Sequence, residues 1–275
     1  MGTRIEIHAF GAADDDALFA ARRAIEAVDD ALTIHRPSPT TALNAGLMAG
    51  EIAVVTDRVL LDALVEIETA YALTHGLFDP AADASKRSAG WDAISFDPAT
   101  ARVSASRPVA LDFGGFGKGF ALDRAGAVLR EAGIVSALLS AGESSIAVIG
   151  EHPLGGAWPI TVPHPTKPGD MLVELELTNE ALSISSTIGA GVAAPERAAM
   201  IRPIDGAIIT NDRTTVAIEP TGARAEMMST ALLVADGDHA TRLLTDPFAR
   251  RFLFDFAHEA AMPAYPARMP FDERL

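Results

Sequence analysis

Four glycines fall within six positions, Gly114, Gly115, Gly117 and Gly119, in the stretch "LDFGGFGKGFALDRAGAVL" running from Leu111 to Leu129. The residues before them have the character of a strand end, and those after them repeat with helical spacing. The chain must therefore turn from strand into helix where its backbone is least restricted. Two physical readings fit such a turn. The free N–H groups ahead of a helix form an anion-friendly nest, strengthened by the helix dipole and by the fixed cation of Lys118. Alternatively, the glycines let the helix pack closely on a sheet while Lys118 stays in solvent. Three familiar motifs fail. Lys118 is followed by Gly119 rather than Ser or Thr, which excludes a P-loop; Phe120 stands where a dinucleotide fingerprint needs its third glycine; and "DFG" at Asp112 to Gly114 has no upstream H-R-D loop.

Periodicity outlines the remaining elements. Residues Arg4 to Phe10 alternate as a half-buried strand, and Leu18, Ala21, Ile25, Val28 and Leu32 mark a helix with Asp14 as its N-cap. "TIHRPSPTTALNAG" reads as a loop, and a second helix runs from about Asp57 to Thr74, closed by Gly76. "AISFDPATARVSA" reads as a hairpin, and a helix runs from about Lys118 to Ala132. "SALLSAGESSIAVIG" gives strand, turn and strand, and "WPITV", "LVELEL", "LSISS", "AAMIRP", "TTVAIE" and "RFLFDF" add further strands. "EMMSTALLVA" and "HATRLL" are helical. Many strands joined by short turns, mixed with helices, predict an α+β fold with mainly antiparallel sheets rather than a regular alternating βαβ chain.

Composition bounds the function. Of the 275 residues 49% are hydrophobic, ample for a packed core. There is no cysteine, so disulfides, thiolate metal sites and a cysteine nucleophile are excluded. A net charge of −15 argues against nucleic acid as a partner. No apolar run reaches the length of a membrane span. No signal peptide or lipid-anchor cysteine is seen, so a cytoplasmic location is expected.

Taken with its neighbours, the glycine stretch resembles the ApbE family of FAD:protein FMN transferases. "DFGGFGKGFALD", Asp112 to Asp123, fits that family's D-L-G-[GA]-I-A-K-G-Y-A-x-D without a gap, and "AEMMSTAL", Ala225 to Leu232, matches its "ADALSTAL". Weaker landmarks fall in the family's order: "MGT" at Met1 to Thr3, "LTIHRPSPTTALN" at Leu32 to Asn44, "GLFDPA" at Gly76 to Ala81, and "LLSAGESSIAVIG". The resemblance implies one domain over residues 1–275 with two intertwined lobes and a central cleft for FAD. It also implies a magnesium ion on the pyrophosphate. A Thr or Ser hydroxyl of a flavin-accepting protein attacks the FMN-side phosphorus and AMP leaves, chemistry that a divalent ion supports by neutralising charge.

Carried over position by position, the resemblance places Met1, His35, Phe78, Asp79, Asp112 and Lys118 against FAD. It places the Gly115 carbonyl, Glu226 and Thr230 on the metal, and gives Lys118 and Glu226 the catalytic roles. Glu226 stands where the family usually has aspartate. It shares a helical face with Thr230 at i, i+4; without the family, the pair reads as a surface glutamate and a core threonine. Other positions depart. "AMIRPIDG", Ala199 to Gly206, stands where the family has "HIIDPRTG", so histidine becomes Ala199, aspartate Arg202 and threonine Asp205; Glu143 and Ser144 replace glycine and aspartate of a "GGD" turn. Alanine cannot accept the hydroxyl proton as histidine could. These departures keep a second expectation open, a non-catalytic or FAD-hydrolysing relative acting as a flavin carrier.

Overall fold

The computed structural model of the protein describes residues 3–11, 15–82, 90–189, 200–246 and 249–256. Its elements in chain order begin with β1 (Ile5–Phe10), α1 (Asp15–Leu32), α2 (Pro39–Ala49), β2 (Ala53–Val54), α3 (Arg58–Leu73), β3 (Ile94–Asp97) and β4 (Arg102–Ala105). Then come α4 (Gly117–Glu131), β5 (Ser136–Ala141), β6 (Ser145–Ile149), β7 (Trp158–Pro163), β8 (Met171–Leu177) and β9 (Ala181–Ser186). The series closes with β10 (Ile201–Arg202), β11 (Ala207–Ile208), β12 (Arg213–Glu219), α5 (Gly222–Val234), α6 (Gly237–Leu244) and β13 (Arg250–Asp255). The expected α+β class holds. A six-stranded sheet ordered β1-β5-β6-β9-β12-β13 is antiparallel at every pairing, and smaller antiparallel sheets comprise β2-β4-β3, β7-β8 and β10-β11.

The central sheet is covered on both faces, and the period of two sorts its side chains. Ala137, Leu139 and Ala141 of β5, with Ala217 of β12, join the larger core under the helices. Val148, Val216 and Ile218 point the other way and meet Trp158, Ile160 and Leu177 of the β7-β8 ribbon. On the helical side α4 and α5 lie against the sheet and against each other, with α1 packed on α4. Leu122, Ala125 and Leu129, at helical spacing, are fully buried there.

Two expectations are corrected. No strand leads into the glycine turn, since β4 ends at Ala105 and residues 106–113 form none. Residues of "TIHRPSPTTALNAG" form α2 rather than a loop. Ser38 is its N-cap: the Ser38 hydroxyl accepts from the Thr41 N–H while the Thr41 hydroxyl accepts from the Ser38 N–H, and Pro39 sits at the first helical position. The prolines and serines that read as loop are the start signal of this helix. Asp14, the expected cap of α1, lies outside the described residues.

Candidate active site in the cleft beside the glycine turn

The glycine turn is held from beneath and from the side. Phe113, Phe116 and Phe120 form a buried aromatic run, with ring centroids 6.1 Å and 4.8 Å apart. The Asn44 side chain of α2 brackets Leu111, donating to its carbonyl at 2.9 Å and accepting from its N–H at 2.8 Å. Asp112 then turns back on the loop: its N–H donates to the Pro80 carbonyl, and its Oδ1 accepts from the Gly114 N–H, both at 2.8 Å. The turn is thus fixed before any ligand arrives.

Its last glycine answers a packing demand. A Cβ placed on Gly119 would lie 2.1 Å from the carbonyl oxygen of Gly222, the first residue of α5. The two helices therefore meet backbone to backbone: the close approach the glycine allows is against α5 rather than against a sheet, and Lys118 is not left in solvent. The anion-friendly reading holds only for Lys118, which lines the cavity with its Nζ 2.6 Å from Glu226 Oε1. The Gly114, Phe116, Gly117 and Gly119 N–H groups all donate to acceptors within the protein and form no free nest. Glu226 also accepts from the Ser145 hydroxyl at 2.5 Å and, through Oε2, from the Gly119 N–H at 2.9 Å. It is 2% exposed, so the picture of a surface glutamate does not hold. A buried carboxylate needs such partners, and here it has an ammonium, a hydroxyl and a helix-terminal N–H.

These groups surround an open cavity of about 710 Å³, lined among others by Phe78, Asp112, Gly115, Lys118, Glu226 and Thr230. A second hollow of about 330 Å³ shares Asp112, Gly114 and Lys118 with it, and His35 lies on its wall. The structure thus brings together eight of the nine positions carried over from the resemblance. Met1 lies outside the described residues. Asp79 also borders the main cavity, but its carboxylate is turned to the backbone: Oδ1 accepts from Ala81 N–H at 2.8 Å and Oδ2 from Gly90 N–H at 2.7 Å, and both reach Trp91 N–H at 3.2 Å. Burial pushes its pKa up, against the pull of these N–H donors. Asp79 holds the chain beside Phe78.

Two oxygens at this wall, the Gly115 carbonyl and the Thr230 hydroxyl, are of the kind a hard cation takes. A Cβ on Gly115 would stand 3.5 Å from Thr230 Oγ1, and Thr230 lies one helical turn beyond Glu226. Among the described residues, neither the Gly115 carbonyl nor the Thr230 hydroxyl is hydrogen-bonded. No three His, Asp or Glu side chains gather into a metal cage among those residues. Both Glu226 oxygens are already engaged, Oε1 by Lys118 and Ser145 and Oε2 by the Gly119 N–H. Glu226 would therefore join a magnesium shell only by giving up part of these contacts, with substrate phosphates completing the shell.

Sequence reasoning misses several contributors. Asn44 goes unassigned because its helix reads as loop. Ser145 is hidden in a strand, and its signal emerges only from the contact with Glu226. Ser183 and Ser185 of β9, which line the cavity, are joined through Ser229 of α5, at 3.0 Å and 2.9 Å, and Ser183 pairs across the sheet with Ser145. Of the departures, Ala199 is outside the described residues. Arg202 and Asp205 pair with each other at 2.9 Å, and Arg202 also reaches Asp236 at 3.2 Å. Glu143 adopts φ +61° next to Gly142 in the β5–β6 turn.

Solved structures with this architecture include the flavin transferase ApbE from Vibrio cholerae, with TM-score 0.76 at 18% identity over 92% of this chain and 90% of that one. The ApbE protein from Thermotoga maritima superposes with TM-score 0.77 at 20% identity, covering 92% and 91%. The flavinyl transferase ApbE from Pseudomonas stutzeri, in its apo form, gives 0.74 at 21%, covering 91% and 90%. At these identities the likeness concerns the fold. No curated protein sequence matches. No helix among the described residues is long and apolar enough to cross a membrane. The model of the ApbE family matches residues 81–251, well over half of the 275, and takes in the glycine turn and α5. The chain belongs to the ApbE family.

Proposed function

We propose that this protein transfers FMN from FAD to a Thr or Ser hydroxyl of a flavin-accepting protein, with magnesium, and releases AMP. The observation that carries the reading is the convergence of Lys118, Gly115, Glu226 and Thr230 on one cavity beside Phe78. Its size suits a nucleotide-class ligand. The acceptor oxygen forms a bond to the FMN-side phosphorus, the bond to the AMP oxygen breaks, and AMP leaves with that electron pair. Magnesium, held by Gly115, Glu226 and Thr230, would supply charge neutralisation on the pyrophosphate. Lys118 presents a fixed ammonium at the same wall. Glu226, by holding Lys118, keeps that cation oriented, and the aromatic face of Phe78 offers apolar contact beside it. The acceptor hydroxyl passes its proton to solvent or to the acceptor's own groups, since Ala199 supplies no base.

One observation favours a second reading. Where the family has aspartate and threonine, Arg202 and Asp205 pair with each other and Arg202 also with Asp236, so these two positions are engaged with one another rather than lining the cavity. A protein that holds FAD without transferring it would be built this way.

Titration of the purified protein with FAD, with and without magnesium, followed by chromatography for AMP and FMN, separates the two. Magnesium-dependent AMP release on adding an acceptor peptide supports transfer. Tight FAD binding with no AMP under any acceptor condition supports a carrier. Absence of FAD binding defeats both.

A further inference from the structure

The sequence contains the same five-residue pattern twice, at sites 103 residues apart along the chain: "GFALD" at Gly119 to Asp123, and "GARAE" at Gly222 to Glu226. Each places a glycine in the first turn of a helix, Gly119 as the third residue of α4 and Gly222 as the first of α5, with an acid four residues on, which sets both on one helical face. In the structure the two patterns grip each other. The Gly119 N–H of α4 donates to Glu226 of α5 at 2.9 Å. In return the Gly222 N–H of α5 donates to Asp123 Oδ1 of α4 at 2.6 Å, and the Ala223 N–H donates to Asp123 Oδ2 at 2.8 Å. The first N–H groups of a helix lack partners within it, and a carboxylate is the favoured acceptor at that end. Here each helix supplies the other's acceptor. The glycines make the exchange possible: a Cβ on Gly119 would lie 2.1 Å from Gly222 O, and one on Gly222 would lie 2.6 Å from Gly119 O.

The two acids differ in what else they touch. Asp123 gives both oxygens to the start of α5 and does not reach the cavity. Glu226, one turn further along α5, also holds Lys118 and the Ser145 hydroxyl at the cavity wall. We propose that Asp123 is a positioning residue: by fixing the first turn of α5 against α4, it sets where Glu226 stands and hence where Lys118 is held. The link from Lys118 to flavin chemistry rests on the proposed function; the clasp itself does not.

The chain has three lysines, Lys86, Lys118 and Lys167, so acylation by an amine-reactive ester can be read residue by residue by peptide mass spectrometry. The measurement uses the full chain without FAD. Asp123→Ala is expected to raise Lys118 labelling, relative to Lys167, about fivefold or more, as loss of a charge-assisted hydrogen bond would. Asp123→Asn, which keeps one acceptor, should fall between. Adding Asp123→Asn to Glu226→Gln should raise labelling no further than Glu226→Gln alone, because both act through one contact. Wild-type labelling in folded Asp123→Ala, or additive effects in the double variant, overturns the proposal. Should Asp123→Ala fail to fold by circular dichroism, Asp123→Asn and the double variant decide it in the same way. A separate FAD titration of the wild type tests the flavin reading, so failure of one is distinguishable from failure of the other.

Discussion

Asn44 and Leu111, 67 positions apart in sequence, hold each other through two hydrogen bonds, the amide of one clasping the peptide N–H and carbonyl of the other. Helix α2 is thereby tied to the irregular segment between β4 and the glycine turn. Leu111 is 1% exposed, so its peptide has no water to fall back on.

Replacing Asn44 with leucine orphans both groups of that peptide. Urea unfolding is expected to show a loss of about 2–3 kcal/mol, the cost of leaving buried polar groups unpaired. Asn44→Asp keeps the acceptor for the N–H but sets a carboxylate against the Leu111 carbonyl, and should lose at least as much at neutral pH. Equal stability of all three proteins would show that the bracket contributes nothing.

Two glycines of the same turn should respond in opposite directions to alanine. At Gly119 the added methyl meets the Gly222 backbone at 2.1 Å, and the helices must separate. A loss of about 3 kcal/mol is expected. At Gly117 nothing lies within 4 Å, and the residue opens α4. Gly117→Ala should therefore leave stability unchanged or raise it by about 0.5–1 kcal/mol. Thermal and urea melts of the pair check the sign at each site.

Lys118→Met removes the cation from the cavity wall and leaves Glu226 with only neutral donors, from Ser145 and Gly119. Because the lysine side chain is partly exposed, the stability loss should fall below that of a fully buried broken pair, at about 2–3 kcal/mol. FAD affinity should fall about tenfold, the weight of one charge-assisted contact to phosphate. Flavin fluorescence titration reads the affinity, and unchanged affinity would remove Lys118 from the FAD site.

Asp79 gathers three backbone N–H groups, from Ala81, Gly90 and Trp91. Asp79→Ala should cost about 2 kcal/mol through those unmet donors. It should also change the fluorescence of Trp91, which is buried directly behind the contact. Since Phe78 precedes it, FAD affinity should weaken as well. A variant with native Trp emission and native affinity would confine Asp79 to a dispensable surface turn.

Legibility in the sequence tracks the range of the interactions. The helix after the glycine turn, the 93–105 hairpin and the β5–β6 turn are readable because short-range periodicity and turn residues define them. Helix α2 is not, because Ser38 and Pro39 signal a loop and a helix start alike, and only the buried Thr40, Leu43 and Leu47 decide between them. Phe78, Lys118, Glu226 and Thr230 can be gathered only through the family's motifs, since no local pattern brings α5 to the glycine turn. The partners Ser145, Asn44 and Asp123 lie 81, 67 and 99 positions from the residues they hold, beyond any spacing rule.

Asp123 also carries a pH signature. Burial raises its pKa to about 6, against the lowering effect of the Ala223 and Gly222 N–H groups, with Glu66 raising it further and Arg130 opposing. In the unfolded chain the same carboxyl titrates near 3.8. Between those values the native protein holds a proton that the unfolded chain has released. The stability from this group is thus fully present below about pH 3.8 and is lost as pH rises through about 6. The gap between 3.8 and about 6 corresponds to about 3 kcal/mol. Asp123→Asn has no such titration, so other acids cancel when its unfolding free energy is subtracted from that of the wild type. That difference should fall from about pH 4 to about 6.5 and run flat above about 7. A flat difference across the whole range would mean that the two N–H donors offset burial in full, and that the carboxylate of Asp123 is ionised in the native clasp throughout.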